Sequence, residues 1–389
     1  MSVIGDLDDY GSAAQALRLV AESFVSSLPT RKTGMISCQP ARKTSKSAVA
    51  KTVRTTKTDG PTMEQSDLMT LLQRPLSPDA RVEVPASWAE YDRAQELLDN
   101  LGNKYPRLWY DGARQTAIIV AAPTDLQGRM VGDLVTNLAN GCNEVMRAGG
   151  ISEDIRRRLT ASTDVTKHRR FGSRLTVREW DGALEYMDVD KKTKIMVVFE
   201  VGVSQSYRSL QQAISWQLCS LHCRLGIAMH LHEGPRGASP AIRYYASEEA
   251  AEEAIQQAVE DLSIQLQQHP YGPLERNGVT WFGALEKVIV ETFRCDVDNA
   301  TQDTLLDPSQ SFVVIRDGQS WAGDVPPNLR EVVLGDCIPS YVLSGNEILD
   351  TPINFFQKNW VEAKISSAIL STAAERIEKK CRVLESTDC

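Results

Sequence analysis

The feature that most limits the fold of this chain is a strand, helix, strand pattern near its centre. An apolar run from Ile195 to Val203 is followed by a segment with helical apolar spacing, Ser206 to Cys219, and then by a second apolar run, Leu225 to His232. Two buried strands joined by a helix almost always form a parallel unit with a right-handed crossover. The pattern therefore predicts a mixed α/β protein.

A single carboxylate, Glu200, interrupts the first apolar run, and a second acid, Asp181, lies upstream beside Gly182. Burying an ionised carboxylate is costly unless a cation or hydrogen bonds compensate the charge. Hard cations such as Mg²⁺ bind one or two carboxylates together with water and substrate phosphate. We therefore predict that Asp181 and Glu200 hold one divalent cation, Mg²⁺ or Mn²⁺.

Other roles are compatible with the same two acids. Asp181-Gly182 is a dipeptide typical of hairpin turns. Glu200 could pair with a structural arginine, or it could lie at the solvent-exposed end of its strand. A further alternative is an α/β scaffold in which Glu200 has a structural role only. Each of these alternatives predicts different surroundings for the two side chains.

The composition is that of a globular protein. With 389 residues, of which 42% are hydrophobic and 24% charged, the chain is long enough for one large domain or two smaller ones. It has no run of about 18 uncharged apolar residues, and its acidic first residues do not resemble a secretory signal. Its eight cysteines are scattered, which favours reduced thiols. We expect an intracellular protein, nuclear or cytoplasmic, that does not cross a membrane.

The net charge of −8 conceals two basic segments. Eight lysines and arginines, and no acid, lie between residues 31 and 57, a stretch rich in Ser and Thr that we expect to be disordered. The second basic segment, 156–178, precedes Asp181 and could bind the phosphates of a nucleic acid; a solvated loop is the alternative. The candidate phosphate contacts in this segment are Arg169, Arg170 and Arg174.

We divide the chain into an N-terminal helix (1–27), a basic disordered linker (28–84), a core (85–240), and an acidic helix with a C-terminal elaboration of the same unit (241–389). The patterns in the core predict a helix after Ser87, a hairpin, a helix from Gln127 to Arg147, a basic loop, the strands Leu175 to Trp180 and Ala183 to Val189, and then the central pattern. The acidic cluster that begins at Glu248 is a candidate surface for a protein partner. The sequence leaves the oligomeric state open.

The predicted order of elements resembles the αβββαβ core of the PD-(D/E)xK nuclease-like superfamily. The segment Glu200 to Ser206, with the pattern Glu-Val-x-x-Ser-Gln-Ser, is similar to that of a group of largely uncharacterised fungal proteins of this superfamily. The segment from Tyr110 to Gln127 is similar to the front half of bacterial restriction-endonuclease-like proteins. The resemblance covers about residues 85–235. It implies a restriction-endonuclease-like fold, a mixed sheet flanked by helices, with Asp181 and Glu200 as ligands of a catalytic Mg²⁺.

The chain departs from this family's signature at one residue. The family's lysine, two positions after the glutamate, is Gly202 here. That lysine helps to orient the attacking water and offsets negative charge at phosphorus, so its loss implies slow hydrolysis of phosphodiester bonds or none. The resemblance leaves two functions open. One is a Mg²⁺-dependent nuclease-like enzyme, and the other is a catalytically inactive nucleic-acid-binding or protein-interaction module.

Three further residues are candidates for parts of such a site. Gln212, four residues before Trp216, resembles the glutamine that assists at the metal site of RecB-like exonucleases. Glu144, on the helix before the meander, could supply an additional acid, and Glu185 could replace Asp181 if the strand register differs. For Gln212 and Glu144, a position on the protein surface is the alternative.

Overall fold

A computed structural model describes residues 68–72, 76, 81–101, 106–171, 174–203, 206–221, 223–237, 240–295, 304–321 and 332–383 of the protein. For residues 101, 164–171, 174–176, 178, 179 and 221 it describes the backbone alone. The predicted N-terminal helix and the predicted disorder of residues 31–57 lie outside these ranges. All described residues belong to one unit of contacts, Thr62–Cys389.

The main element of the described residues is a mixed sheet of ten strands. The strands of the protein are β1 (Arg81–Pro85), β2 (Arg107–Asp111), β3 (Thr116–Val120), β4 (Leu159–Phe171), β5 (Arg174–Met187), β6 (Thr193–Val203), β7 (Leu225–Glu233), β8 (Arg243–Tyr245), β9 (Leu274–Arg276), β10 (Val279–Phe282), β11 (Leu285–Arg294), β12 (Gln310–Arg316), β13 (Gln319–Ser320) and β14 (Cys381–Val383). In the main sheet they pair in the order β1-β3-β2-β5-β6-β7-β11-β12-β13, and β4 pairs with β5. Two small sheets join β9 to β10 and β8 to β14.

Helices pack on both faces of the main sheet. They are α1 (Leu68–Leu72), α2 (Trp88–Leu101), α3 (Asp125–Ala148), α4 (Glu153–Arg156), α5 (Tyr207–Leu221), α6 (Glu248–Gln268), α7 (Leu334–Cys337) and α8 (Lys358–Glu378), with a 3₁₀ turn at Glu347–Asp350. No helix of these described ranges is long and apolar enough to cross a membrane.

The central pattern folds as the sequence predicts. Strands β6 and β7 are parallel neighbours, with Glu200 opposite Ala228, and α5 connects them. Phe199 packs in the same apolar cluster as α3, whereas Val198 packs against Ile214 of α5. Because successive strand residues point to opposite faces, Glu200 lies on the face that α5 covers. The prediction of a mixed α/β protein is confirmed.

The predictions for residues before β6 are wrong in two places. The predicted basic loop is instead largely strand β4, which pairs with β5 along nearly its whole length. The two strands predicted on either side of Asp181-Gly182 are one continuous strand, β5. Sequence patterns miss such strands because charged residues are common on strands at the side of a sheet, where their side chains stay in water.

Gly182 has a packing role rather than a turn role. It is buried in β5, and a Cβ atom at this position would lie 2.6 Å from Cγ2 of Val135 and 2.9 Å from Cγ1 of Val131, both on α3. A residue without a side chain therefore lets α3 pack closely on the sheet next to Asp181. Because Asp181 and Gly182 both lie within the continuous strand β5, they do not form a hairpin turn.

Two further boundaries bear on the site and on the partner hypothesis. Helix α1 and strand β1 lie in the segment assigned to the linker, and Arg81 of β1 pairs with Val120 of β3. Strand β1 is too short for its alternation to stand out in the sequence. Helix α6 begins after the N-cap Ser247 with Glu248 and Glu249 in its first turn, where acidic side chains stabilise the helix dipole. Part of the acidic cluster therefore has a local structural role.

Candidate functional site

The candidate site lies where β5 and β6 separate. Their ladder ends at Gly182 opposite Phe199, so Asp181 and Glu200 are the next residues on the two strands. Beyond this point β5 pairs with β2, at Val177, while β6 remains paired with β7. The two acids therefore flank an opening in the sheet rather than a closed ladder.

Asp181 reaches across this opening. Its Oδ2 accepts a hydrogen bond of 2.8 Å from the backbone N–H of Val201, the residue after Glu200. From the other side, the side-chain amide of Gln127 on α3 donates to both carboxylate oxygens, at 3.3 and 3.4 Å. The half-buried Asp181 carboxylate is thus held beside Glu200 by one backbone group and one side chain.

Glu200 is buried, with 4% of its surface exposed. The side-chain amide of Gln217 on α5 donates to its Oε1. The amide oxygen of the same Gln217 is buried and has no hydrogen-bond partner among the described residues. An acceptor in this position, next to a carboxylate, is an oxygen that a cation or a water molecule could satisfy.

Arg81 of β1 brings a positive charge to the same place. Burial lowers the pKa of Arg81 below the usual arginine value, while the nearby carboxylates of Glu83 and then Glu200 act to raise it. Its guanidinium lies over the Trp109 ring, 5.4 Å from the centroid. Glu200 is therefore compensated by an amide and by a neighbouring guanidinium charge, so the sequence-based alternative of a structural arginine has a specific candidate.

A divalent cation fits the chemistry of these groups. The carboxylates of Asp181 and Glu200 and the amide oxygen of Gln217 are hard oxygen donors of the kind that Mg²⁺ prefers. A carboxylate has about four acceptor positions, so the amide contacts leave room for a further ligand. No group of three or more His, Cys, Asp or Glu residues in the described part of the chain could hold a metal, and this donor set, with two acids and an amide, is of a different kind.

A pocket of about 220 Å³ is linked to the acids through Arg81, which lines it and interacts electrostatically with Glu200. One part of its lining is a stripe of α5, and another part comes from β1 and from the turn between β2 and β3. The residues that line it are Arg81, Asp111, Ala113, Arg114, Arg208, Gln212, Ser215, Trp216, Thr304 and Leu305. The four α5 residues have the spacing i, i+4, i+7 and i+8, which places them on one face of the helix.

The structure brings together Asp181 and Glu200 of the predicted site residues. Gln212 is exposed and lines the adjoining pocket, and it is Gln217 that donates to Glu200. Glu144 lies 17 residues after Gln127 on α3, about 25 Å away at roughly 1.5 Å per residue. Glu185 lies four residues beyond Asp181 on β5, about 13 Å along the strand. Neither glutamate is at the opening.

The three predicted phosphate contacts lie at the far end of the β4–β5 ladder. Arg169 pairs with Thr176 and Arg170 with Leu175, and only their backbone is described. Arg174 precedes Asp181 by seven residues on β5, about 23 Å at roughly 3.3 Å per residue. The arginine that interacts with Glu200 is instead Arg81, and Arg114 and Arg208 line the same pocket as Arg81.

Sequence reasoning missed Gln127, Gln217 and Arg81, and a signal exists for one of them. Gln217 continues the apolar stripe of α5 that contains Leu210 and Ile214, so it is a polar residue in a buried pattern, as Glu200 is. Gln127 and Arg81 have no comparable signal, because their role depends on how α3 and β1 pack against distant strands.

Comparisons of the chain with protein-family models, with curated proteins and with solved structures give no match. The resemblance to the PD-(D/E)xK superfamily therefore rests on the residues quoted above. Any function assigned to the chain has to be argued from the opening between β5 and β6 and from the pocket beside it.

Proposed function

We propose that the chain is a nuclease-like protein that binds nucleic acid at the opening between β5 and β6 and, with Mg²⁺ or Mn²⁺, slowly hydrolyses phosphodiester bonds there. The observation that carries the proposal is the end of the β5–β6 ladder at Gly182 and Phe199, which leaves Asp181 and Glu200 side by side. The order α3, β4, β5, β6, α5, β7, with the short helix α4 between α3 and β4, supports a restriction-endonuclease-like αβββαβ core.

Each described group has a role in this proposal. Asp181, Glu200 and the Gln217 amide oxygen would hold the cation, which when bound polarises the phosphate and lowers the pKa of a bound water. Gln127 orients Asp181 through the two amide contacts. The N–H of Val201 fixes the same carboxylate against β6, so that both acids are positioned before substrate arrives.

Arg81 supplies part of the positive charge that Gly202 does not. A guanidinium near Glu200 can offset negative charge that develops on a phosphate. Arginine is not deprotonated in proteins, so Arg81 cannot remove a proton from water. We therefore expect cleavage that depends on the metal and is slow.

A second candidate function is binding of nucleic acid or protein without catalysis. It is favoured by one observation: the Gln217 amide and the Arg81 charge already compensate the buried Glu200. A metal is then not needed to stabilise the folded protein. In this case the opening would be a binding surface in which the acids fix the local structure.

The two functions differ in their response to metal. If the first is right, millimolar Mg²⁺ or Mn²⁺ raises the Tm of the full chain by about 2 °C or more, as expected for about 1 kcal/mol of binding energy. Glu200→Gln and Asp181→Asn abolish this shift. Glu144→Gln, which removes the same charge from an exposed position about 25 Å from the site, is the matched control and keeps it.

Cleavage of single- and double-stranded DNA and RNA with Mn²⁺ completes the test. We expect slow product formation that EDTA and Glu200→Gln both stop. A chain that binds nucleic acid, shows no Tm shift with metal and gives no cleavage supports the second function. A shift that survives in both acid variants contradicts the assignment of the metal ligands.

A further inference from the structure

The pocket beside the acids has a property that phosphodiester hydrolysis does not require: it gathers three arginines from three separate elements. We propose that this pocket binds a terminal phosphate group, the phosphomonoester at the end of a nucleic acid strand. The inference rests on the proposed function, since it assigns the substrate of the same site. It makes the protein selective for strand ends that carry phosphate.

The charge of the pocket lining favours an anion. Arg81, Arg114 and Arg208 face a single acid, Asp111, among the lining residues. Asp111 is buried. Its Oδ1 accepts hydrogen bonds from the backbone N–H groups of Ala113 and Arg114, at 3.0 and 3.2 Å. This carboxylate is therefore already used to close the β2–β3 turn. Outside the lining, Glu83 pairs with both Arg81 and Arg114, so the three arginines still exceed the two acids by one positive charge.

The hydrogen-bonding state of the arginines points the same way. The Nη2 of Arg81 pairs with Glu83 at 3.5 Å, whereas its Nε is buried and has no hydrogen-bond partner among the described residues. The Arg208 guanidinium, on the second residue of α5, makes no ion pair within the described ranges. Arg114 is paired with Glu83 at 3.1 Å, with 58% of its side chain exposed. A phosphate oxygen would satisfy donors that the protein leaves open.

The size and charge of the ligand follow from the pocket. A volume of about 220 Å³ is below the roughly 300–1,000 Å³ of pockets for drug-sized molecules, so it suits a phosphate with part of a sugar. A terminal phosphate carries about −1.5 to −2 charges at pH 7, as a phosphorylated side chain does. A terminal phosphate also presents three acceptor oxygens, whereas a backbone diester presents two non-bridging oxygens, so three guanidinium groups match the terminal group better.

The interaction between Arg81 and Glu200 connects binding of a strand end in the pocket to the candidate metal site. Arg81 lines the pocket and also acts electrostatically on Glu200. Because Arg81 connects the pocket to Glu200, a strand whose terminal phosphate enters the pocket could extend its first internucleotide phosphates towards the two acids. The pocket thus fixes the register of the strand relative to the candidate metal site.

The test measures binding in EDTA, so that it does not depend on the metal. Fluorescence anisotropy compares a short single-stranded oligonucleotide carrying a 5′-phosphate, a 3′-phosphate or only hydroxyl ends. We expect one phosphorylated form to bind the full chain about tenfold more tightly, the gain from one charged hydrogen-bonded contact. Arg208→Gln and Arg114→Gln should reduce this preference to about twofold or less, and should weaken binding of the hydroxyl form by a smaller factor, because each variant also removes one positive charge near the strand.

Arg147→Gln, an exposed arginine in the last turn of α3, is the control and should keep the preference. Equal affinity for phosphorylated and unphosphorylated strands overturns the proposal, as does a preference that survives in both pocket variants. Inorganic phosphate and a nucleoside monophosphate are tested separately by Tm at constant ionic strength. If these stabilise the protein while phosphorylated strands gain no affinity, the pocket binds small phosphates and the strand-end assignment is overturned.

The outcomes also separate this proposal from the proposed function. A phosphate-end preference in EDTA, together with no metal effect on Tm, would contradict the metal site and retain the pocket. Metal-dependent cleavage without any end preference would support the metal site and contradict the assignment of the pocket.

Discussion

Glu200 on β6 and Glu233 on β7 are buried glutamates on neighbouring strands, and their surroundings differ. The Glu233 carboxylate accepts hydrogen bonds from both terminal nitrogens of Arg376, at 2.7 and 2.9 Å. It also accepts one from the backbone N–H of Gly283, at 2.9 Å. Glu200 accepts a hydrogen bond from the side-chain amide of Gln217 and interacts electrostatically with Arg81. One carboxylate has a bidentate ion pair, and the other has an amide and a neighbouring cation.

Access to the arginine is what distinguishes the two regions. Arg376 is 8% exposed, lies over the Phe282 ring at 5.3 Å, and joins α8 to the sheet. Arg81, which interacts electrostatically with Glu200, lines a pocket. A buried acid enclosed with its arginine serves structure, whereas a buried acid whose cation faces a pocket can respond to a ligand. The comparison predicts different consequences for variants of the two regions.

The largest effect is expected at the closed pair. Arg376→Met leaves the Glu233 charge buried without its bidentate partner and should lower the free energy of unfolding by about 3–5 kcal/mol. Glu200→Gln replaces a buried charge by a neutral residue of the same shape and should change it by less than about 1.5 kcal/mol. Urea denaturation of the two variants measures both values. Equal losses would mean that Glu200, too, is a structural acid.

Next in size is the packing of α3 beside Asp181. Gly182→Ala inserts a methyl group against Val131 and Val135 and should cost about 1–3 kcal/mol through overpacking. Gly132→Ala, inside α3 with no neighbouring atom within 4 Å of the new methyl, should stabilise by about 0.4–1 kcal/mol. The same denaturation series tests both. A neutral Gly182→Ala would show that α3 does not fix the opening.

A third variant makes the open region resemble the closed one. Gly202 lies two residues after Glu200 on β6 and therefore on the same face. The variant Gly202→Lys gives Glu200 a nearby lysine at the position where the PD-(D/E)xK signature has one. We expect Mn²⁺-supported cleavage to rise by at least about tenfold, the lower part of the range for acid–base and electrostatic groups. Lys194→Ala, near the start of the same strand, is the control and should leave cleavage unchanged. Robust cleavage by the unmodified chain that Gly202→Lys destroys would show that another residue does the work of the lysine.

The smallest effect concerns how tightly α5 and the residues just after it are packed. This helix carries both the Gln217 contact to Glu200 and four of the residues that line the pocket. Burial raises the pKa of Cys219 and that of Cys223 to about 12. Both thiols stay protonated in the folded protein while unfolded chains ionise near pH 9, so their contribution to stability is complete below about pH 8. It is lost as the pH rises towards 12.

Thiol labelling tests the burial of the cysteines, on which their raised pKa values depend. At pH 8 we expect slow labelling of Cys219 and Cys223, as slow as that of the buried Cys337, and faster labelling of the half-buried Cys381. Labelling of Cys219 well before Cys337 would show that α5 opens locally, and the site would then be less ordered than the closed pair.

The elements that can be predicted from the sequence alone are those whose signal is local. The apolar runs of β6 and β7, the helical stripe of α5 and the carboxylate of Glu200 in a buried pattern can each be seen within a short window, because alternation and helical spacing are properties of neighbouring residues. From these features follow the parallel unit and one buried acid. Strand β4 escaped prediction because its charged residues suppress the alternating pattern.

The surroundings of Glu200, in contrast, depend on the tertiary structure. The divergence of β5 from β6 at Gly182 places Asp181 next to Glu200, and the packing of α3 brings Gln127 to Asp181. The pairing of β1 with β3 carries Arg81 to the pocket. These contacts join residues that are far apart in the chain, and they depend on strand order and helix packing. No local pattern encodes that order, because the pairing of strands is set by the free energy of the whole sheet and its two helical layers.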